Sequence, residues 1–244
     1  MADPIIQRLG RRVWGLVSRL AGTRVREISF SLAELQAGGF SSQDGQDKFL
    51  IEEVFCGKRN GVFVDIGAHD GVSFSNTNVL EKHWGWKGVA VEPVGKAFEK
   101  LKANRRCLAI QACVAGRAGT VEFIEVDGYS EMLSGMVSSF DPRHLERMER
   151  EVAEHGGTVT RQTVPCLSLD DVLCRSGYSE FDYLSVDVEG AERDVLQIET
   201  LRKWPVKVIS AENNFGESAL RGHMRRAGYR LLARVGADDI YQRR

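Results

Sequence analysis

Short, continuously apolar runs alternate with helix-patterned stretches from residue 61 almost to the end of the chain. That alternation is the strongest constraint on the fold. Val62-Phe63-Val64-Asp65-Ile66, Gly88-Val89-Ala90-Val91-Glu92, residues 108–114, Phe181-Asp182-Tyr183-Leu184-Ser185-Val186 and Val206-Lys207-Val208-Ile209-Ser210 read as buried strands. Residues 73–84, a segment opened by Pro93 with Ala97, Phe98 and Leu101 on one face, residues 191–204 and residues 216–227 read as helices. Ser168 caps another through Leu169, Val172 and Leu173, which stops at Gly177. Residues 120–126 follow a Gly-containing turn, and 229–235 with 240–242 form a closing hairpin. The pattern predicts an α/β protein with a largely parallel sheet and helices on both faces. A chain of 244 residues buries enough surface to need no disulfide or metal staple, so its five cysteines, none in a CxxC pair, read as buried thiols of a reduced, cytoplasmic protein.

Two segments break the rhythm. Residues 127–164 are too long for a simple connection, and Asp141-Pro142 with Leu145, Met148 and Val152 opens a helix that stops at Gly156-Gly157. The expectation is a helical insertion that covers a substrate site, the alternative being a surface ornament. The other segment is the start. Residues 1–26 carry +5 inside a chain whose total is −1, and Ile5, Ile6, Leu9, Val13, Leu16, Val17 and Leu20 recur at helical spacing. Residues 1–40 are therefore expected as a basic amphipathic helical arm, whose residues 5–20 either contact a membrane surface or a partner, or fold back on their own domain. The near-neutral total argues against nucleic acid as a partner, and no apolar run is long enough to span a bilayer.

In an open parallel sheet, ligands bind where strands end and the connection order reverses. The first strand ends in Asp65-Ile66-Gly67-Ala68-His69-Asp70-Gly71. Its Gly-x-x-x-Gly spacing is not the GxGxxG that receives a pyrophosphate, and an acid entering the turn suits a cation better than a diphosphate. Glu92 ends the next strand 21 residues after Gly71, where a carboxylate can accept ribose hydroxyls. A nucleoside bearing a positive group and no diphosphate satisfies the whole set, which describes S-adenosylmethionine. A nucleotide-dependent oxidoreductase on the same sheet is disfavoured by the missing GxGxxG.

Ser42-Gln43-Asp44-Gly45-Gln46-Asp47, residues 61–71, Trp86-Lys87-Gly88-Val89-Ala90-Val91-Glu92-Pro93, Ser168-Leu169-Asp170-Asp171 and Phe181-Asp182-Tyr183-Leu184-Ser185-Val186-Asp187-Val188-Glu189-Gly190-Ala191-Glu192 together resemble the FkbM family of S-adenosylmethionine-dependent methyltransferases. The similarity spans roughly residues 40–242 and leaves the arm outside. It implies a class I methyltransferase Rossmann-like three-layer sandwich over residues 41–244, with a mostly parallel seven-stranded sheet and an antiparallel edge strand. It further implies Asp65, Gly67, Ala68, His69 and Gly71 around the methionine part of the cofactor, Glu92 on its ribose beside Pro93, and Cys113 and Val114 at the adenine. Gln43 and Gln46 would close over the site. The implied acceptor is a hydroxyl of a sugar, glycan or natural product; a cofactor-binding scaffold without turnover is the alternative.

Methyl transfer to a hydroxyl needs alignment and removal of its proton. Asp187 and Glu189 leave one strand at the sheet's carboxyl edge, and Glu212, Asn213 and Asn214 leave the next. Three roles are open at this point. Asp187 or Glu189 serves as general base; Asp187, Glu212 and Asn213 hold a divalent cation such as Mg²⁺; or the carboxylates only cap the following helix. His69 is a further candidate base, while Glu192 reads as a cap or salt-bridge residue. His83, His144, His155 and His223 show no metal spacing, and Trp84 and Trp86 read as packing at a helix-to-strand connection.

Overall fold

The computed structural model describes residues 25–244 except 141, 215 and 217. The amphipathic helix expected over residues 5–20 lies outside the described residues. A short strand β1 (Glu27–Ile28) and helix α1 (Leu32–Gly38) precede α2 (Gln46–Phe49), which runs on into a π-helical turn, Leu50–Val54. Then come β2 (Val62–Ile66), α3 (Asn78–Trp84), β3 (Lys87–Val91), α4 (Gly95–Asn104) and β4 (Leu108–Ile110). They are followed by β5 (Cys113–Ala115), β6 (Gly119–Asp127), β7 (Gly135–Met136), α5 (Pro142–His155) and β8 (Thr158–Ser168). The chain continues through α6 (Leu169–Ser176), β9 (Phe181–Val186), α7 (Glu192–Val195), α8 (Ile198–Lys203) and β10 (Val206–Glu212). It closes with α9 (Ser218–Arg226), β11 (Tyr229–Val235) and β12 (Asp238–Arg243).

The main sheet has the order β1-β11-β12-β10-β9-β2-β3-β4. Side chains alternate along its strands, so Val64, Ile66, Leu184 and Ile209 enter one buried layer with Leu173 and Met224. Phe63, Tyr183 and Val208 enter the other, with Phe49, Leu80 and Trp86. The α/β architecture expected from the alternation is therefore present, with two corrections. The sheet has eight strands instead of seven, because β1 pairs with β11; two residues are too few to carry a periodic signal. The reversed strand, β12, is interior: it runs antiparallel to both β10 and β11, and its residues Asp238, Asp239, Ile240 and Tyr241 are buried.

Several boundaries move for local reasons. The helix expected over 73–84 starts only at Asn78, because Asp70 accepts the amides of Val72 and Ser73, and Ser75 Oγ accepts those of Thr77 and Asn78. The helix expected over 191–204 is broken at Gln197, whose ψ of 138° is extended. The run 108–114 divides between β4 in the main sheet and β5 in a second, four-stranded sheet of order β5-β8-β6-β7. The insertion is thus not a helix alone. β6 and β8 pair from Gly119↔Cys166 to Asp127↔Thr158, and α5 is carried between them on this long ladder. Among the described residues no helix is long and apolar enough to cross a membrane.

Ser168 does cap α6: its hydroxyl accepts the Asp171 amide while Asp171 accepts the Ser168 amide, and Gly177 ends the helix at φ 75°. Ser168→Ala is expected to cost about 1 kcal/mol, read as a lower urea midpoint with an unchanged slope.

Candidate active site

β2 and β9 lie side by side where the order of connections reverses, since the chain leaves β2 toward β3 and β4 and later returns on β2's other flank through β9. Beyond the last pair, Ile66↔Val186, the Asp187 amide donates to the Ile66 carbonyl at 3.0 Å. Gly67 follows at φ +83°, and a Cβ there would lie 1.9 Å from the Asp187 carbonyl oxygen. The loop after β2 and the acidic loop after β9 are therefore locked together, at a spacing only glycine permits.

Two spaces open on either side of that lock. One is an apolar pocket walled by Ile66, Val91, Ala112, Val114, Phe123 and Met136, with Glu92, Pro93 and Cys113 also lining it. Glu92 is buried, and its two oxygens each accept one amide, from His69 and from Val94, both at 2.8 Å. Burial pushes its carboxyl up to about 7 against those two bonds. Carboxylate oxygens carry two lone pairs each, so acceptor capacity remains for hydroxyls brought into the pocket. The other space is a polar recess bordered by Gln43, Gln46, Asp65, Ala68, Asn76 and Asp238. Gly67, His69, Met132 and Asp187 border both.

Asp65 keeps its carboxylate inward. It accepts the Thr77 hydroxyl, and Thr77 in turn accepts from the buried Arg105 at 3.0 Å. Burial raises the Asp65 carboxyl, with the nearby Arg105 guanidinium opposing it. Gly71 does not face either space. A Cβ there would lie 2.6 Å from both the Arg105 and Leu101 side chains, so this glycine makes room for the buried arginine instead of for a ligand.

The acidic loop stands at a three-way junction. Asp187 borders the apolar pocket and the recess. Glu189 borders the pocket and an open cleft of about 850 Å³, and Glu212 borders that cleft and the recess. One oxygen from each of the three lies within 4.8 Å of the others. Asp187 opens onto these spaces, yet protein atoms and like charges surround it. Burial, then Glu212, then Glu189 push its carboxyl well up, and burial followed by Glu189 pushes Glu212 up as well. Glu189 holds a left-handed backbone at φ 53°, as does His69 at 47°. Glu192 accepts the amides of Val188 and Gly190 at 3.3 and 3.0 Å, so it shapes the loop, in line with a capping role.

Asn213 borders the open cleft, with its side-chain Nδ2 donating to Asp239 at 2.8 Å, while Glu189 joins Asp187 and Glu212 in the carboxylate cluster. His69 places Nε2 3.3 Å from Glu131 and Nδ1 3.8 Å from Asp70, and neither buried ring nitrogen has a hydrogen bond. Trp86 is buried and donates to the Lys58 carbonyl, away from the site. The cysteines divide: Cys113 and Cys166 are buried, while Cys56 and Cys174 are exposed, contrary to expectation.

Asp238, Asn76, Ser185 and Met132 border the recess without having been singled out by the sequence. Asp238 accepts from Gln46 at 3.3 Å and Asn76 at 3.4 Å, which ties the 43–46 segment over the site. No motif marks it, because β12 reaches the site only through its reversed placement beside β10.

The sequence model of the methyltransferase FkbM domain matches residues 65–231. No curated protein matches the chain in sequence. Among solved structures, a methyltransferase FkbM from Methylobacillus flagellatus KT is similar at 12% identity and TM-score 0.45, over 75% of this chain and 43% of its own. This chain thus spans less than half of that protein's length. A TehB-like SAM-dependent methyltransferase from Corynebacterium glutamicum is similar at 11% identity and TM-score 0.42, over 87% of this chain and 94% of its own. Aeropyrum pernix fibrillarin, in complex with natively bound S-adenosyl-L-methionine, is similar at 10% identity and TM-score 0.39, over 76% and 67%.

Burial raises Asp238 from its ordinary 3.8 to about 7. An acid raised in this way contributes stability that is complete below its unfolded pKa and is lost as pH rises through the folded one. The urea midpoint is expected to fall as pH rises from about 4 through about 7. Asp238→Asn should flatten that fall; an identical pH profile in the variant would remove Asp238 as a source.

Proposed function

The chain belongs to the FkbM-domain methyltransferases, and from that premise we propose that it moves the methyl group of S-adenosylmethionine to a hydroxyl oxygen of a sugar, glycan or natural-product acceptor. The observation that carries this reading is the junction at which an apolar pocket, a polar recess and an open cleft meet on Asp187, Glu189 and Glu212. The chemistry of the donor set fits the cofactor. The apolar pocket suits an adenine, Glu92 at its edge has lone pairs for ribose hydroxyls, and the acids around the recess favour positive ammonium and sulfonium groups.

When bound, the cofactor supplies an activated methyl on sulfur. The protein's part is then to align an acceptor oxygen and take its proton. An acceptor in the open cleft meets Glu189 and Glu212, while Asp187 borders the adjoining pocket and recess. Desolvation and neighbouring negative charge raise the proton affinity of Asp187 and Glu212, which suits uptake of a proton at this junction. We assign that role to Asp187 or Glu189, with Glu212 sharing the proton. A second reading, a divalent cation on the same three side chains, is favoured by their 4.8 Å spacing.

S-adenosylhomocysteine is expected to raise the melting temperature by mass action, and Glu92→Ala should shrink the shift. Asp187→Asn should leave that binding nearly intact while turnover falls about 10²- to 10⁴-fold; equal turnover would exclude Asp187 as base. Activity lost to EDTA and restored by Mg²⁺ would select the cation reading instead.

A further inference from the structure

The open cleft that Glu189 and Glu212 border also has a basic wall. Arg143, Arg147 and Arg150 stand at i, i+4 and i+7 of α5 and line it. The opposite stripe of the helix, Leu145, Met148 and Val152, packs with Ile124, Val126 and Leu133 of the second sheet and its loop. Anchoring that apolar stripe holds the arginine face toward the cleft. Arg193, at the start of α7, lines the cleft as well.

Arg147 pairs with Glu151 at 2.7 Å, and Arg150 lies near enough to help hold the Glu151 carboxyl low, but Arg150 and Arg193 form no hydrogen bond or close ion pair among the described residues. Glu146 stands one turn before Arg150, the favourable order for an i, i+4 pair, yet no such pair forms. Of the acids on the cleft, Glu189 and Glu212 belong to the junction, Glu192 is taken up by backbone amides, and Glu146 and Asp194 also border it. Guanidinium groups bind carboxylates and phosphates through paired N–H donors, and open ones beside a reaction site favour a ligand with such a group.

We propose that the acceptor carries an anionic group, a carboxylate or a phosphate, which the arginine wall binds through Arg150 and Arg193 while the acceptor's hydroxyl faces Glu189. The identification of the cleft as the acceptor site rests on the methyl-transfer reading above; the anion preference of the wall is tested separately from it.

The test uses the full-length chain loaded with S-adenosylhomocysteine and three sugars that share one ring: glucose, glucuronate and glucose 6-phosphate. Saturation-transfer NMR should show binding of the two anionic sugars and not of glucose, and the relative strength of the two selects carboxylate or phosphate. The double variant Arg150→Ala/Arg193→Ala should weaken that binding at least about tenfold while retaining the wild-type melting shift with S-adenosylhomocysteine. Glucose binding as well as the anionic sugars, no binding by either anionic sugar, or equal binding in the double variant would each overturn the proposal. In a second arm, cell extract is incubated with a labelled methyl donor. Labelled product retained on anion exchange, and lost with the double variant, supports the proposal; label only in the neutral fraction overturns it and leaves methyl transfer standing. Anion binding by the arginines without any labelled product would instead sink the methyl-transfer reading.

Discussion

The close passage of Gly67 against the Asp187 carbonyl is the contact on which the site depends. Parallel pairing of β2 and β9 brings the two strand ends together, and the hydrogen bond from Asp187 to Ile66 continues the ladder one step past the sheet. Any side chain at position 67 would collide with backbone, so the cofactor-type loop and the acidic loop meet only because that residue is glycine at positive φ. The left-handed backbones of His69 and Glu189 lie one turn away on either side, where tight loops must reverse within a few residues.

From that lock follows an arrangement that is costly for an empty protein and useful for a cationic ligand. Asp187, Glu212, Glu192, Glu92 and Asp238 are all held above their ordinary proton affinity, chiefly by desolvation within the protein, and Asp187, Glu212 and Asp238 also by the charge of other acids in this set. Such groups weaken the fold as pH rises and gain when positive charge enters the recess between them. The second sheet contributes on two sides. Its Glu131–Leu133 turn brings Glu131 against His69 and Met132 between the pocket and the recess, while α5 forms the basic wall of the cleft.

Much of this was legible in the residues. Glu92, Pro93, Cys113 and Val114 line the pocket, Gln43 and Gln46 border the recess, and Asp187 with Glu189 stands at the junction, because strand ends can be read from where apolar runs stop. Gly71 is not legible in this way: it sits in the right loop, yet a buried arginine claims the space beside it. Spacing along a loop does not tell which way a side chain turns. The second sheet is not legible because 158–164, rich in threonine and poor in apolar residues, pairs with a strand about 30 to 45 residues earlier.

The alternation of strands and helices, the carboxyl-edge location of the ligand site and the identity of most of its acids can be read from the residues alone. These are local properties: apolar run length, turn residues and the residue at which a strand ends. Tertiary structure decided which carboxylates converge, placed β12 inside the sheet so that Asp238 reaches the recess, and turned an inserted helix so that arginines face the cleft. Those outcomes depend on pairing and packing between segments far apart in the chain, and contact energies of that kind leave no period in the sequence for a reader to find.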